Sequence, residues 1–225
     1  MTSYIATQFF GANKNMKAIY LQLYLVTDEA CLKHQNLFEA VEEALRAGVT
    51  LVQYREKNGT GREMLRKACV LRALCHQYRV PLIVNDRLDI ALLSGADGVH
   101  LGQDDLPVAE ARRLAGPDFI IGATAHNVAE ALAAEADGAD YLGCGAVFST
   151  ETKKDTVPPG LDGLRAIRAA VKLPIAGIAG ITAANYVQVL QTGADGAAVV
   201  SGILGAEDIF AEVKRFLQDS NWPGI

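Results

Sequence analysis

The sequence predicts an α/β fold, a single-domain (β/α)8 TIM barrel with a short N-terminal extension, and three observations carry that prediction. Eight short runs rich in Val, Ile and Leu alternate with longer amphipathic stretches almost from end to end. Such alternation builds parallel β/α units, because parallel strands need a crossover between them. The segments RAGVTLV, SGADGVHL, DGADYLG and TGADGAAVV form a weak repeat, each placing a glycine (Gly48, Gly95, Gly138, Gly193) at a helix end just before a strand. These glycines recur at about 48 residues, twice a typical ~24-residue βα unit. No linker or abrupt change of composition divides the chain, so residues 1–18 are expected as an extension and 19–225 as one barrel domain. Four double units make eight βα units. Closure into a barrel is the simplest arrangement, with an open doubly wound sheet as the alternative.

Taken in order, the strands are expected at 22–27, 50–55, 82–85, 98–101, 119–122, 141–145, 175–178 and 197–201. Two of them are introduced by Pro81 and Pro174. Helical periodicity is clearest at 37–47, 61–78, 127–136 and 183–192. Asp28, Asn127 and Thr182 stand where a strand-to-helix loop or an N-cap is expected.

Composition narrows the function classes. With 225 residues, half of them hydrophobic, and 21 Lys+Arg against 26 Asp+Glu, the chain is an ordinary globular protein with a sizeable core. No apolar run approaches the roughly 20 residues needed to cross a bilayer. The N-terminus lacks the features of a secretory signal, so a cytoplasmic protein is expected. Cys31, Cys69, Cys75 and Cys144 show neither a CxxC pair nor metal-like spacing, and are expected as reduced, buried structural thiols. A formal charge of −5 speaks against nucleic-acid binding. Any anion site must therefore be local.

In a (β/α)8 barrel the chemistry collects where strands end and helices begin. After the second strand, Gln53, Arg55 and Lys57 alternate to one side, an amide and two cations that suit a polyphosphate clamp as well as a solvated surface. The third strand ends in Asn85 and Asp86, and the fourth runs through His100 to Asp104 and Asp105. Asp86 and Asp105 are candidate ligands of one hard cation such as Mg2+, or alternatively helix caps. Thr124, after the fifth strand, offers a hydroxyl. His126 has no evident carboxylate beside it, and both it and His100 read as structural histidines. The connection 147–160, with the run FSTETKKDTVPPG, reads as a lid able to fold over an anionic ligand, or as a variable loop. Glycines at 177, 180 and 202 near the ends of the last two strands suit a second, monophosphate site.

In this order, QYREK at 53–57, NDR at 85–87, GVHLGQDD at 98–105, TETKKD at 150–155, GIAGI at 177–181 and the late VVSGI resemble the thiamine-phosphate synthase family over roughly residues 20–215. The resemblance implies a transferase of thiamine biosynthesis. Such an enzyme joins a hydroxymethylpyrimidine diphosphate to a phosphorylated thiazole, releasing pyrophosphate. By motif, Gln53, Tyr54, Arg55, Glu56, Lys57, Asn85, Thr124 and Lys153 would contact the pyrimidine diphosphate, with Arg55, Lys57, Thr124 and Lys153 as the catalytic set. Asp86 and Asp105 would hold Mg2+, and Thr150, Glu151, Thr152, Gly180, Val200 and Ser201 would contact the thiazole phosphate. The implied partners are these small molecules, with no nucleic acid and no membrane; a homo-oligomer is left open. Two departures stand out: Thr124 replaces a common Ser, and Ala179 a common Gly. A thiazole tautomerase or a non-catalytic phosphate-binding barrel is the alternative reading.

Overall fold

The structure, a computed structural model, describes residues 19–148 and 159–218. Strands β1 (Leu23–Val26), β2 (Leu51–Tyr54), β3 (Leu82–Asn85), β4 (Gly98–Leu101), β5 (Ile120–Ala125), β6 (Tyr141–Cys144), β7 (Ile175–Ile178) and β8 (Gly196–Val199) pair in parallel and in sequence order. Closure comes from β8 pairing with β1, Ala198 opposite Tyr24, which rules out the open sheet. The surrounding helices are α1 (Leu37–Ala47), α2 (Gly61–Gln77), α3 (Leu88–Ser94), α4 (Val108–Ala115), α5 (Val128–Ala136), α6 (Gly160–Ala170), α7 (Tyr186–Leu190), α8 (Ser201–Leu204) and α9 (Ile209–Gln218). The expected N-terminal extension lies outside the described residues.

Local chemistry sets the helix bounds. Asn36 with Glu39, and Thr60 with Glu63, form capping boxes that satisfy first-turn N–H groups of α1 and α2. Asn127 caps α5 by accepting from Glu130 N–H. At the other end of α1, Gly48 adopts φ +116°, a left-handed stop that costs other residues strain. The helix expected over 183–192 is shorter, because Asn185 turns back to accept the Thr182 N–H and only Tyr186–Leu190 remains helical. The fifth strand extends further than expected, to Ala125, since Ala123 and Ala125 still pair with Leu101 and Cys144. Thr124 therefore lies within β5.

The weak repeat acquires a physical cause at the barrel floor. Asp97, Asp140 and Asp195, each two residues after a repeat glycine, accept the N–H of Leu82, Ile121 and Ile175 at 2.9, 2.7 and 2.8 Å. Each aspartate's own N–H returns a bond to the carbonyl of that same residue. Thr50 does the same for Leu23 through its hydroxyl. Strands are thus clasped in twos: β1–β2, β3–β4, β5–β6 and β7–β8. Arg112 and Arg168 bridge Asp140 and Asp195 at 2.6 and 3.2 Å, and Arg72 reaches Asp97 at 3.6 Å.

Two apolar layers result. One lies between strands and helices, and a smaller one fills the barrel with Leu21, Tyr24, Val26, Leu51, Ile83, Ile120, Tyr141, Ala176 and Ala198. Gly122 admits the interior aromatics: a Cβ there would stand 2.2 Å from the Tyr141 ring and 2.5 Å from His100 Nδ1. Of the thiols, Cys75 and Cys144 are buried, and burial pushes each up to about 12. Cys69 is exposed on α2 and Cys31 half-buried, so the expectation of four buried thiols is corrected. No helix among the described residues is long and apolar enough to cross a membrane.

Candidate active site

The C-terminal rim of the barrel gathers charge from adjacent strands. Leaving β1, Thr27 accepts the Arg55 N–H at 2.9 Å, and Asp28 accepts from Arg55 Nη1 at 2.8 Å. Asp28 also accepts the Ala30 N–H, so it both caps a short 3-10 turn and fixes the guanidinium. Sequence reasoning found only the cap; the partner lies 27 residues away, beyond any local signal.

The motif that follows β2 divides by face. Gln53, 3% exposed, points into the barrel and donates to the Tyr24 hydroxyl. Tyr54 points the other way, into the layer beneath α2, where its buried hydroxyl has no hydrogen-bond partner among the described residues. Glu56 bonds the Asn58 N–H at 2.9 Å and Lys67 of α2 at 3.3 Å, contacts that hold its carboxyl below the usual range. Of the two other residues of this motif, Tyr54 packs in the helix layer and Glu56 ties the loop to α2. Arg55 and Lys57 reach the rim from the loop rather than from the strand.

Lys57 Nζ lies 2.9 Å from Asp86 Oδ2. Asp86, at φ +62°, follows Asn85 at the end of β3 and donates its N–H to the His100 carbonyl on the neighbouring strand. Asp105 comes from the turn after β4, where its Oδ2 accepts the Gly102 N–H at 2.7 Å. Its carboxyl lies close enough to that of Asp86 for the two to act on each other electrostatically. Burial, and then the neighbouring Asp86, raise the Asp105 pKa, opposed by the Gly102 N–H and by Lys57. Two facing carboxylates of this kind are a hard oxygen donor set. The described residues hold no group of three or more His, Cys, Asp or Glu placed for a metal, so further ligands would be water and substrate oxygens.

Thr124 turns its hydroxyl inward to His100 Nε2 at 3.0 Å. His126, expected without a carboxylate, has one: Glu130 of α5 sits 2.9 Å from its Nδ1, four residues on, a spacing only the helix makes close. Across the rim, Ala179 and Gly180 both take left-handed backbone, at φ +80° and +67°. A Cβ on Gly180 would stand 2.7 Å from Cβ of Phe148. Ser201 opens the short α8 directly after Val200 and lines a shallow groove with Gly202, Glu207 and Arg215. Thr150, Glu151, Thr152 and Lys153, and most of the expected lid, lie outside the described residues.

A closed parallel barrel whose rim carries paired carboxylates and cations places the chain in the (β/α)8 class, with a polar rim suited to a small anionic ligand. The family model for thiamine monophosphate synthase matches residues 23–203. The chain is 51% identical over 195 residues to a thiamine-phosphate synthase of Chloroflexus aurantiacus, covering 86% of this chain and 90% of that protein. It is 48% identical to one of Clostridium acetobutylicum, covering 86% and 92%. The solved thiamine phosphate pyrophosphorylase of Pyrococcus furiosus superimposes with TM-score 0.82 at 42% identity, over 89% of this chain and 95% of that one. The chain belongs to the thiamine-phosphate synthase family, and is a transferase that moves a pyrimidinylmethyl group with release of diphosphate. The isomerase and non-catalytic alternatives are not favoured.

Proposed function

We propose that the rim binds the pyrimidine diphosphate through Gln53, Arg55, Lys57, Asn85, Thr124 and Lys153, and holds Mg2+ between Asp86 and Asp105. The thiazole phosphate would lie against Gly180, Val200 and Ser201, with Thr150 and Thr152 closing over it. The observation that carries this reading is the meeting of the Asp86 and Asp105 carboxylates on the rim, with Lys57 2.9 Å from Asp86. Two neighbouring carboxylates offer a divalent cation hard oxygen ligands.

Bound there, Mg2+ supplies Lewis-acid charge to the diphosphate oxygens. Arg55 and Lys57 add fixed positive charge at the leaving group, and Lys153 is assigned the same task from the lid. Ionisation of the C–O bond releases pyrophosphate, and the thiazole nitrogen attacks the resulting pyrimidinylmethyl cation. No protein nucleophile is required. A rim closed by the lid keeps water from capturing the cation. The protein is read as working in the cytoplasm.

The test mixes purified protein, Mg2+ and both phosphorylated heterocycles and measures thiamine phosphate and pyrophosphate together. Both products are expected in equal amounts, and neither without the thiazole phosphate. Asp86→Ala and Asp105→Ala are expected to lower kcat roughly 10^2- to 10^3-fold with the melting temperature kept. Full Mg2+-dependent turnover by the double variant would reject the ligand assignment.

A further inference from the structure

Under the rim, five polar side chains run in single file through the barrel interior. Gln53 Nε2 donates to the Tyr24 hydroxyl, which lies 2.7 Å from the Tyr141 hydroxyl. Tyr141 Oη stands 3.1 Å from His100 Nδ1, and His100 Nε2 stands 3.0 Å from Thr124 Oγ1. Four of the five are deeply buried: Gln53 3%, Tyr24 1%, Tyr141 0% and His100 8% exposed. The file joins β2, β1, β6, β4 and β5, so it crosses the barrel from one side to the other. Its two ends, Gln53 and Thr124, are both assigned above to the pyrimidine.

Each hydroxyl carries one proton, and the buried His100 ring, bonded through both nitrogens to neutral hydroxyls and to no carboxylate, is a neutral imidazole with a single N–H. Four links must then share four protons in one direction. If Gln53 donates to Tyr24, Tyr24 donates to Tyr141, Tyr141 to His100 Nδ1, and His100 Nε2–H to Thr124. Any link pointing the other way strands a buried proton or lone pair. Thr124 thus receives a hydrogen bond from within, and its own proton is directed away from His100. Gln53, with its amide N–H engaged, keeps its carbonyl oxygen for the ligand.

We propose that Tyr24, Tyr141 and His100 are positioning residues that fix the polarity of this file, so that Gln53 accepts and Thr124 donates towards the pyrimidine, selecting an aminopyrimidine over its oxo counterpart. An aminopyrimidine edge offers an amino donor beside a ring-nitrogen acceptor. The 4-oxo counterpart inverts that pattern, with an N–H beside a carbonyl. Accepting the inverted edge means turning over the Gln53 amide and reversing all four links together. This inference rests on the assignment of Gln53 and Thr124 to the pyrimidine.

Tyr141→Phe cuts the file in the middle while keeping the ring, and frees each half to reverse alone; Tyr24→Phe cuts it nearer Gln53. Titration calorimetry with Mg2+ would measure Kd for the aminopyrimidine diphosphate and for its 4-oxo counterpart, with melting temperature taken in parallel. Wild type is expected to prefer the amino ligand strongly, and either variant to narrow that preference about tenfold. A purely structural role would lower the melting temperature and weaken both ligands equally. An unchanged preference in folded Tyr141→Phe and Tyr24→Phe overturns the inference. Failure of wild type to bind the amino ligand overturns the pyrimidine assignment instead.

Discussion

Ala179 holds a left-handed backbone at φ +80° with a Cβ that this region disfavours by about 1–2 kcal/mol. The turn is kept because the Ala179 carbonyl accepts the Phe148 N–H at 3.2 Å. Ala179→Gly removes the strain and loses part of the gain to unfolded-chain entropy, so a net stabilisation on the order of 0.5–1 kcal/mol is expected. That corresponds to a rise of roughly 1–4 °C in melting temperature; an unchanged or lower value would show that the strain is absorbed elsewhere. His100 acts on the pH axis. Its folded-state pKa lies near 4, below the ordinary 6.5, because burial excludes the charged form. The unfolded chain therefore binds the proton first. The contribution of this group is present above pH 6.5 and is lost as the pH falls towards 4, amounting to about 3 kcal/mol in full. Urea midpoints measured between pH 7 and 4.5 should fall more steeply for wild type than for His100→Gln; parallel slopes would contradict the argument.

Among the elements, the floor clasps explain why the chain repeats itself at all. The glycines of the repeat are legible as helix ends, and each takes positive φ. The aspartates that follow them are not legible as fasteners, since their partners Leu82, Ile121 and Ile175 lie 15 to 20 residues upstream on another strand. Asp140→Ala removes an acceptor from the Ile121 N–H and a partner from Arg112. A loss of roughly 1–3 kcal/mol in urea unfolding is expected, with kcat/KM within twofold of wild type. A comparable loss of activity would mean that the floor and the rim are mechanically linked. The same division governs legibility along β2. Period-two alternation set Gln53, Arg55 and Lys57 to one side, yet it could not foresee that Glu56 reaches Lys67 on a helix.

Across the whole molecule, the eight strands were readable because each carries a short apolar run, and barrel closure followed from their number and order. The rim was readable only in part. Arg55, Lys57, Asp86 and Asp105 announce themselves as charges at strand ends. Tyr24 and Tyr141 look like ordinary core aromatics, and only the fold brings their hydroxyls to 2.7 Å. Sequence spacing also concealed Asp28 as the partner of Arg55, because β1 and β2 meet there only after α1 has carried the chain back to pair them in parallel. Stability and chemistry occupy opposite ends of the same strands. Since the clasps bind the strands two by two at the end opposite the rim, the loops above can be lengthened, shortened or exchanged for those of another barrel while the staves stay hooped. This chain is in that respect a ready chassis for grafting new specificities.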